Sequence, residues 1–143
     1  EIGDKAKTHI DNGKLVPDEV LLGIINNCLK KENVQKGYLL DGFPRTIPQA
    51  EGLKVIMQNL SQTLHSAISL IADEDELVQR LINRGLRSGR SDDTPDVIRQ
   101  RQKIYWGQTA PLLEYYKKRN LLKEVDALGD IAEITKRILK VLR

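Results

Sequence analysis

Short strand-like runs, two of them mostly apolar, alternate along this chain with longer segments whose apolar residues recur at helical spacing. The runs are YLLD over 38–41, HSAISLIAD over 65–73 and LLKEVDA over 121–127. Runs this short and this apolar read as strands buried on both faces. Strands separated by helices need crossover connections, so the pattern predicts a parallel sheet layered with helices, an α/β fold. Three short strands make a thin sheet for the number of helices that flank them.

The helical segments carry their own signals. Residues 1–12 read as the tail of a helix stopped by Gly13. Pro17 suits a first helical position, and Asp18 and Glu19 follow where a helix N-terminus favours negative charge. Val20, Leu21, Ile24, Ile25, Cys28 and Leu29 then form a core-facing stripe. Pro48 to Leu60 reads as a second helix, and Asp73 is placed to cap a third over 74–85. A loop over 86–94 leads to Pro95 and a helix through Trp106. Pro111 interrupts or restarts that helix, which ends near Asn120. Gly129 turns the chain, and Asp130 with Glu133 forms the capping box of a last helix ending at Arg143.

Composition sets the remaining bounds. At 143 residues, 40% hydrophobic and 30% charged, the chain reads as one soluble globular domain. No apolar run is long enough to cross a bilayer, and no secretory leader is expected. The single cysteine, Cys28, makes no internal disulfide and no cysteine-rich zinc site, so a cytoplasmic home is the expectation.

Chemistry concentrates in two places. In open α/β sheets ligands bind beyond the carboxyl ends of the strands, where Asp41 and Arg45 stand. A carboxylate closing an apolar strand can organise a magnesium ion through its waters; the plainer alternative is that Asp41 caps the turn. Gly42, Pro44 and Arg45 at fixed offsets favour the site. The second place is an arginine cluster: Arg80 and Arg84 share a helix face, Arg87 and Arg90 lie in the glycine-containing loop, and Arg99 and Arg101 follow on the next helix. Guanidinium groups clamp phosphate oxygens bidentately, which suits a polyphosphate ligand, and Asp92 and Asp93 would hold some of them in its absence. A salt-bridged surface is the bland alternative. A nucleic-acid patch is the weakest, since the net charge is only +3 and aromatic residues make up only 4% of the chain. Trp106, Tyr105, Tyr115 and Tyr116 read as helix packing rather than an aromatic cage, Cys28 as part of a helix core stripe, and His9 and His65 as residues without a catalytic or metal pattern; the basic end with Arg137, Lys140 and Arg143 suits a helix C-terminus.

Together these features resemble the adenylate kinases. LLDGFPRTIPQ is similar to that family's nucleoside-monophosphate signature, RLINRGLRSGRSDD followed by RQR to its lid, and GKLVPDEV to the segment around the monophosphate base. The resemblance implies a three-layer P-loop kinase fold with a parallel sheet. It implies one adenylate-kinase-like domain over 1–143, with part of the AMP-binding region near 1–16 and a short, zinc-free lid near 84–94. The implied reaction is reversible phosphoryl transfer from ATP to AMP, giving two ADP, with Mg2+ accompanying ATP. Carried over, Lys14, Leu15 and Val16 border the AMP site, and Gly42, Phe43, Pro44 and Arg45 line it, with the Arg45 guanidinium on the phosphate. Gln49 reads the adenine edge. Arg84 contacts ATP phosphates, Arg90 and Arg101 reach the phosphates between the nucleotides, and Arg80 supports them on the ATP side. Gly129 passes its backbone against the ATP adenine, and Asp41 organises the magnesium shell through water. Arg45, Arg84, Arg90, Arg101 and Asp41 are thus the implied catalytic set, and Arg87 has no family role. The expected partners are ATP, AMP and ADP, without nucleic acid or membrane, in a monomer. Glutamine rather than asparagine at position 49 favours adenine over the pyrimidines of the related UMP and CMP kinases.

The string Gly-x-x-x-x-Gly-Lys-[Ser/Thr] does not occur in these residues. The resemblance places that phosphate loop, with its strand and helix of about thirty residues, ahead of Glu1, between the first and second strands of the sheet. The expectation is that this chain alone, lacking the first strands and that loop, is inactive. A non-catalytic nucleotide-binding fragment is the alternative.

Overall fold

The computed structural model describes residues 17–88 and 95–143. Chain contacts divide the molecule into two compact units, with the break between Thr63 and Leu64.

In the first unit, helix α1 runs over Asp18–Leu29 and α2 over Ile47–Asn59, with a short 3-10 turn at Glu32–Val34 between them. Pro17 stands just before α1 rather than inside it, and Asp18 and Glu19 fill its first turn. The two helices pack closely because Gly52 lacks a side chain: a Cβ there would stand 2.5 and 2.6 Å from the Leu22 methyl carbons. Leu29, Ala50, Leu53 and Met57 are buried. The α1 end is tied down by Gln62, whose Nε2 donates to the Leu29 carbonyl at 3.1 Å while its Oε1 accepts from the Tyr38 hydroxyl at 3.0 Å. Burial raises the Tyr38 hydroxyl pKa above its ordinary value.

The second unit alternates as its sequence predicts: β1 at Ala67–Ile71, α3 at Glu74–Ser88, α4 at Pro95–Ile104, α5 at Pro111–Lys117, β2 at Leu122–Asp126 and α6 at Ile131–Leu142. The strands are parallel neighbours, with Ala67 opposite Leu122 and Ile71 opposite Asp126. Asp73 caps the α3 start, its carboxylate accepting from the Asp75 amide at 2.9 Å. Pro111 opens α5, where it lacks only a hydrogen the first turn leaves unpaired anyway. The Asp130–Glu133 capping box is present on α6. Ile98, Leu112, Tyr116, Val125 and Ala127 are buried.

Four expectations are corrected. Tyr38–Asp41 is not a strand, and Leu39 is 74% exposed. Strand geometry is held by a hydrogen-bonded neighbour, and this segment has no ladder partner among the described residues. The burial of parallel strands on both faces is also incomplete, since Leu70 and Ile71 of β1 are exposed. Helix α3 does not stop at Gly85 but continues to Ser88, because one interior glycine costs a helix only about 1 kcal/mol. Finally, the α4 pattern gives way to a π-helical turn over Tyr105–Thr109, which leaves Trp106 62% exposed, stacked edge-on to Tyr105 rather than packed in a core. Tyr116 does pack as expected. The expected helix over 1–12 lies outside the described residues.

Candidate functional site

The segment after Asp41 is a turn that feeds directly into α2. Gly42 has φ +78°, a conformation that favours glycine, and the Phe43–Pro44 peptide is cis. Arg45 folds back over this turn: its Nε donates to the Gly42 carbonyl at 2.8 Å, which fixes the plane of the guanidinium. Thr46 is the N-cap of α2, its hydroxyl accepting from the Gln49 amide at 3.3 Å. Pro48 sits in the first helical turn, where its missing N–H is harmless.

Gln49 is the buried polar residue of this turn, 7% exposed. Its Oε1 accepts from the Arg45 backbone amide at 2.8 Å, and its Nε2 donates to Asp18 Oδ1 at 2.8 Å. The Asp18 link joins the first turns of α1 and α2. An amide offers two donors and two acceptor positions, so these bonds occupy half of its capacity. Thus Gly42, Phe43, Pro44, Arg45 and Gln49 come together in one turn and helix start, with Asp41 exposed at its entrance.

The second unit gathers a different set. Arg80, Asn83, Arg84 and Arg87 line an open cleft of about 420 Å³ along one side of α3. Arg80 is braced twice, by Glu76 Oε1 at 2.8 Å and by the Ala127 carbonyl at 2.9 Å. The latter bond ties α3 to the turn after β2, where Gly129 has φ +107°. That φ favours glycine, and a Cβ there would also push the Glu133 carboxylate out of its place in the capping box. Arg137 secures the same turn through the carbonyls of Asp126, at 3.0 Å, and Leu128. Arg101 lies exposed on α4. Lys14, Leu15, Val16 and Arg90 lie outside the described residues, as do Asp92 and Asp93.

Two placements escape a reading of sequence alone, that of Arg87 in the cleft and that of Asp18 beside Gln49, while a third is open to it. Arg87 joins the cleft because α3 runs one turn further than Gly85 suggests. Thr46 was legible: Thr-x-x-Gln is a capping-box pattern, although here the glutamine oxygen takes the Arg45 amide instead of the cap's own. Asp18 reads only as a residue suited to a helix N-terminus, since nothing in the sequence relates it to a glutamine thirty-one residues on.

The adenylate kinase family model matches residues 1–121. The adenylate kinase of a Nocardioides species is 44% identical over 141 residues, spanning 99% of this chain and 74% of that protein. The adenylate kinase of Thermobifida fusca is 41% identical over 143 residues, covering all of this chain and 76% of its own length. That of Clavibacter michiganensis is 42% identical over 142 residues. A match of this extent decides the question: this chain belongs to the adenylate kinase family.

Proposed function

We propose that the turn from Gly42 to Gln49 is the AMP site of a kinase that moves a phosphoryl group reversibly from ATP to AMP, giving two ADP. The observation that carries this reading is the pairing of roles within five residues. Gln49 is fixed by two hydrogen bonds with half of its amide capacity left for a base edge, and Arg45 is fixed over the same turn with a charge suited to a phosphate. Gly42, Phe43 and Pro44 line the same site, and Lys14, Leu15 and Val16 border it in the family reading.

Phosphoryl transfer asks little covalent chemistry of a protein; it asks for two nucleotides in line and for neutralised charge on the moving group. Arg84, braced Arg80 and the Gly129 turn take the ATP side in this reading, with Arg90 and Arg101 on the phosphates between. The short lid near 84–94 would bring its arginines in on closing and exclude water. The whole chain then acts as one adenylate-kinase-like domain.

Magnesium accompanies ATP. That ion keeps most of its waters and uses one or two carboxylates besides the phosphates. Among the described residues no cluster of three or more carboxylate, histidine or cysteine side chains could cage a metal. Asp41 is a single exposed carboxylate, which fits contact through water. When bound, the ion neutralises phosphate charge; positioning is left to the side chains above. No helix among the described residues is long and apolar enough to cross a membrane. A monomer in the reducing cytoplasm completes the reading.

Replacing Arg45 with alanine removes one charge-assisted contact of about 1.5–3 kcal/mol. Steady-state assays of ADP formation from ATP and AMP by the full-length protein should therefore show kcat/KM for AMP reduced roughly 10- to 100-fold. Equal kcat/KM in the two proteins would remove the assignment.

A further inference from the structure

The amide of Gln49 is held in one orientation by two partners of opposite kind. A carboxylate only accepts hydrogen bonds, so Asp18 Oδ1 requires the amide nitrogen to face it at 2.8 Å. A backbone N–H only donates, so Arg45 requires the amide oxygen at 2.8 Å. Turning the amide over would set oxygen against carboxylate and NH2 against N–H, two repulsions in a residue that is 7% exposed. Held this way, Gln49 keeps one N–H and one oxygen lone pair in a fixed order.

That order matters to a purine. On its N1 edge adenine presents an amino donor at the 6-position beside a ring-nitrogen acceptor, whereas a 6-oxopurine presents an acceptor at the 6-position beside an N1–H donor. The amide orientation that complements the first edge opposes the second, and an amide free to turn over could serve either. We infer that Asp18 is a positioning residue that makes the monophosphate site selective for 6-aminopurines over 6-oxopurines, by locking the Gln49 amide from a separate helix. The inference rests on the reading of Gln49 as the base-contacting residue.

Asp18 also stands in the first turn of α1, where any negative charge favours the helix. Asp18→Asn separates the two roles, because it removes the charge yet keeps an oxygen that accepts from Gln49 Nε2. The test is a calorimetric comparison of AMP and IMP, which differ at the purine 6-position, on the unsubstituted protein, Asp18→Ala and Asp18→Asn. Thermal melting of each is recorded alongside. Asp18→Ala should lower the AMP-to-IMP affinity ratio by about tenfold, the scale of one lost charge-assisted hydrogen bond. Asp18→Asn should keep most of that ratio while melting at a temperature close to that of Asp18→Ala. A ratio unchanged in Asp18→Ala, or lost as fully in Asp18→Asn, would overturn the inference and leave the AMP site standing. Failure of the unsubstituted protein to bind either nucleotide would overturn the AMP site itself, and the inference with it.

Discussion

Single residues in this chain hold more than one job, and the local chemistry shows which job dominates. Gly42 and Gly129 both have positive φ, one opening the signature turn and the other the turn between β2 and the capping box of α6. Tyr38 illustrates a consequence that can be measured. Its hydroxyl donates to Gln62, and burial pushes its pKa up from the ordinary 10.0. The folded chain therefore holds that proton more tightly than the unfolded chain does. The stability this lends is fully present below the ordinary tyrosine value and is lost as pH rises through the higher folded value. Urea denaturation at about pH 9 and about pH 11 should show a fall that Tyr38→Phe, having no proton to lose, partly abolishes. An identical fall in both proteins would assign the alkaline loss to other groups.

Elements follow from sequence as far as their causes are local. Helix starts were legible because caps and first-turn charges are local: Asp73, Asp130 and the acidic pair Asp18–Glu19 all mark helices where the structure has them. β1 and β2 were legible because each finds the other. Tyr38–Asp41 was misread because its apolar character says what it can do and not whether a partner lies alongside. The α3 end lies past Gly85, at Ser88, because one glycine costs a helix too little to end it. Packing between helices is where one substitution speaks most directly. Gly52→Ala adds helix propensity of about 1 kcal/mol, yet forces a methyl onto Leu22, and overpacking costs about 1–3 kcal/mol. A net loss of about 1 kcal/mol in denaturant titrations is expected. Leu22→Ala in the same chain should recover part of it, since the two residues share one contact. Simple additivity of the two losses would show that Leu22 is not what Gly52 accommodates.

At the scale of the whole molecule, the candidate site divides along the same line. The glycine, proline, arginine and glutamine of the turn were legible as a group, because they lie within eight residues of one another, whereas the strand expected ahead of them does not form. The contact from Asp18 was not legible, because it depends on how α1 meets α2. The same holds for Arg80, whose bond to the Ala127 carbonyl spans 47 residues and is set by the meeting of α3 with the end of β2. The chain belongs to the adenylate kinase family, and the proposal at the centre of the account is that Gln49 and Arg45 receive AMP. The most direct measurement is a calorimetric titration of AMP into this chain and into its Gln49→Leu variant, which keeps a side chain of similar size without the amide. The account predicts one-to-one binding that weakens about tenfold or more when the amide is gone, the scale of an unpaired polar contact. Equal affinity in the two proteins, or no binding by the unsubstituted chain, would contradict it.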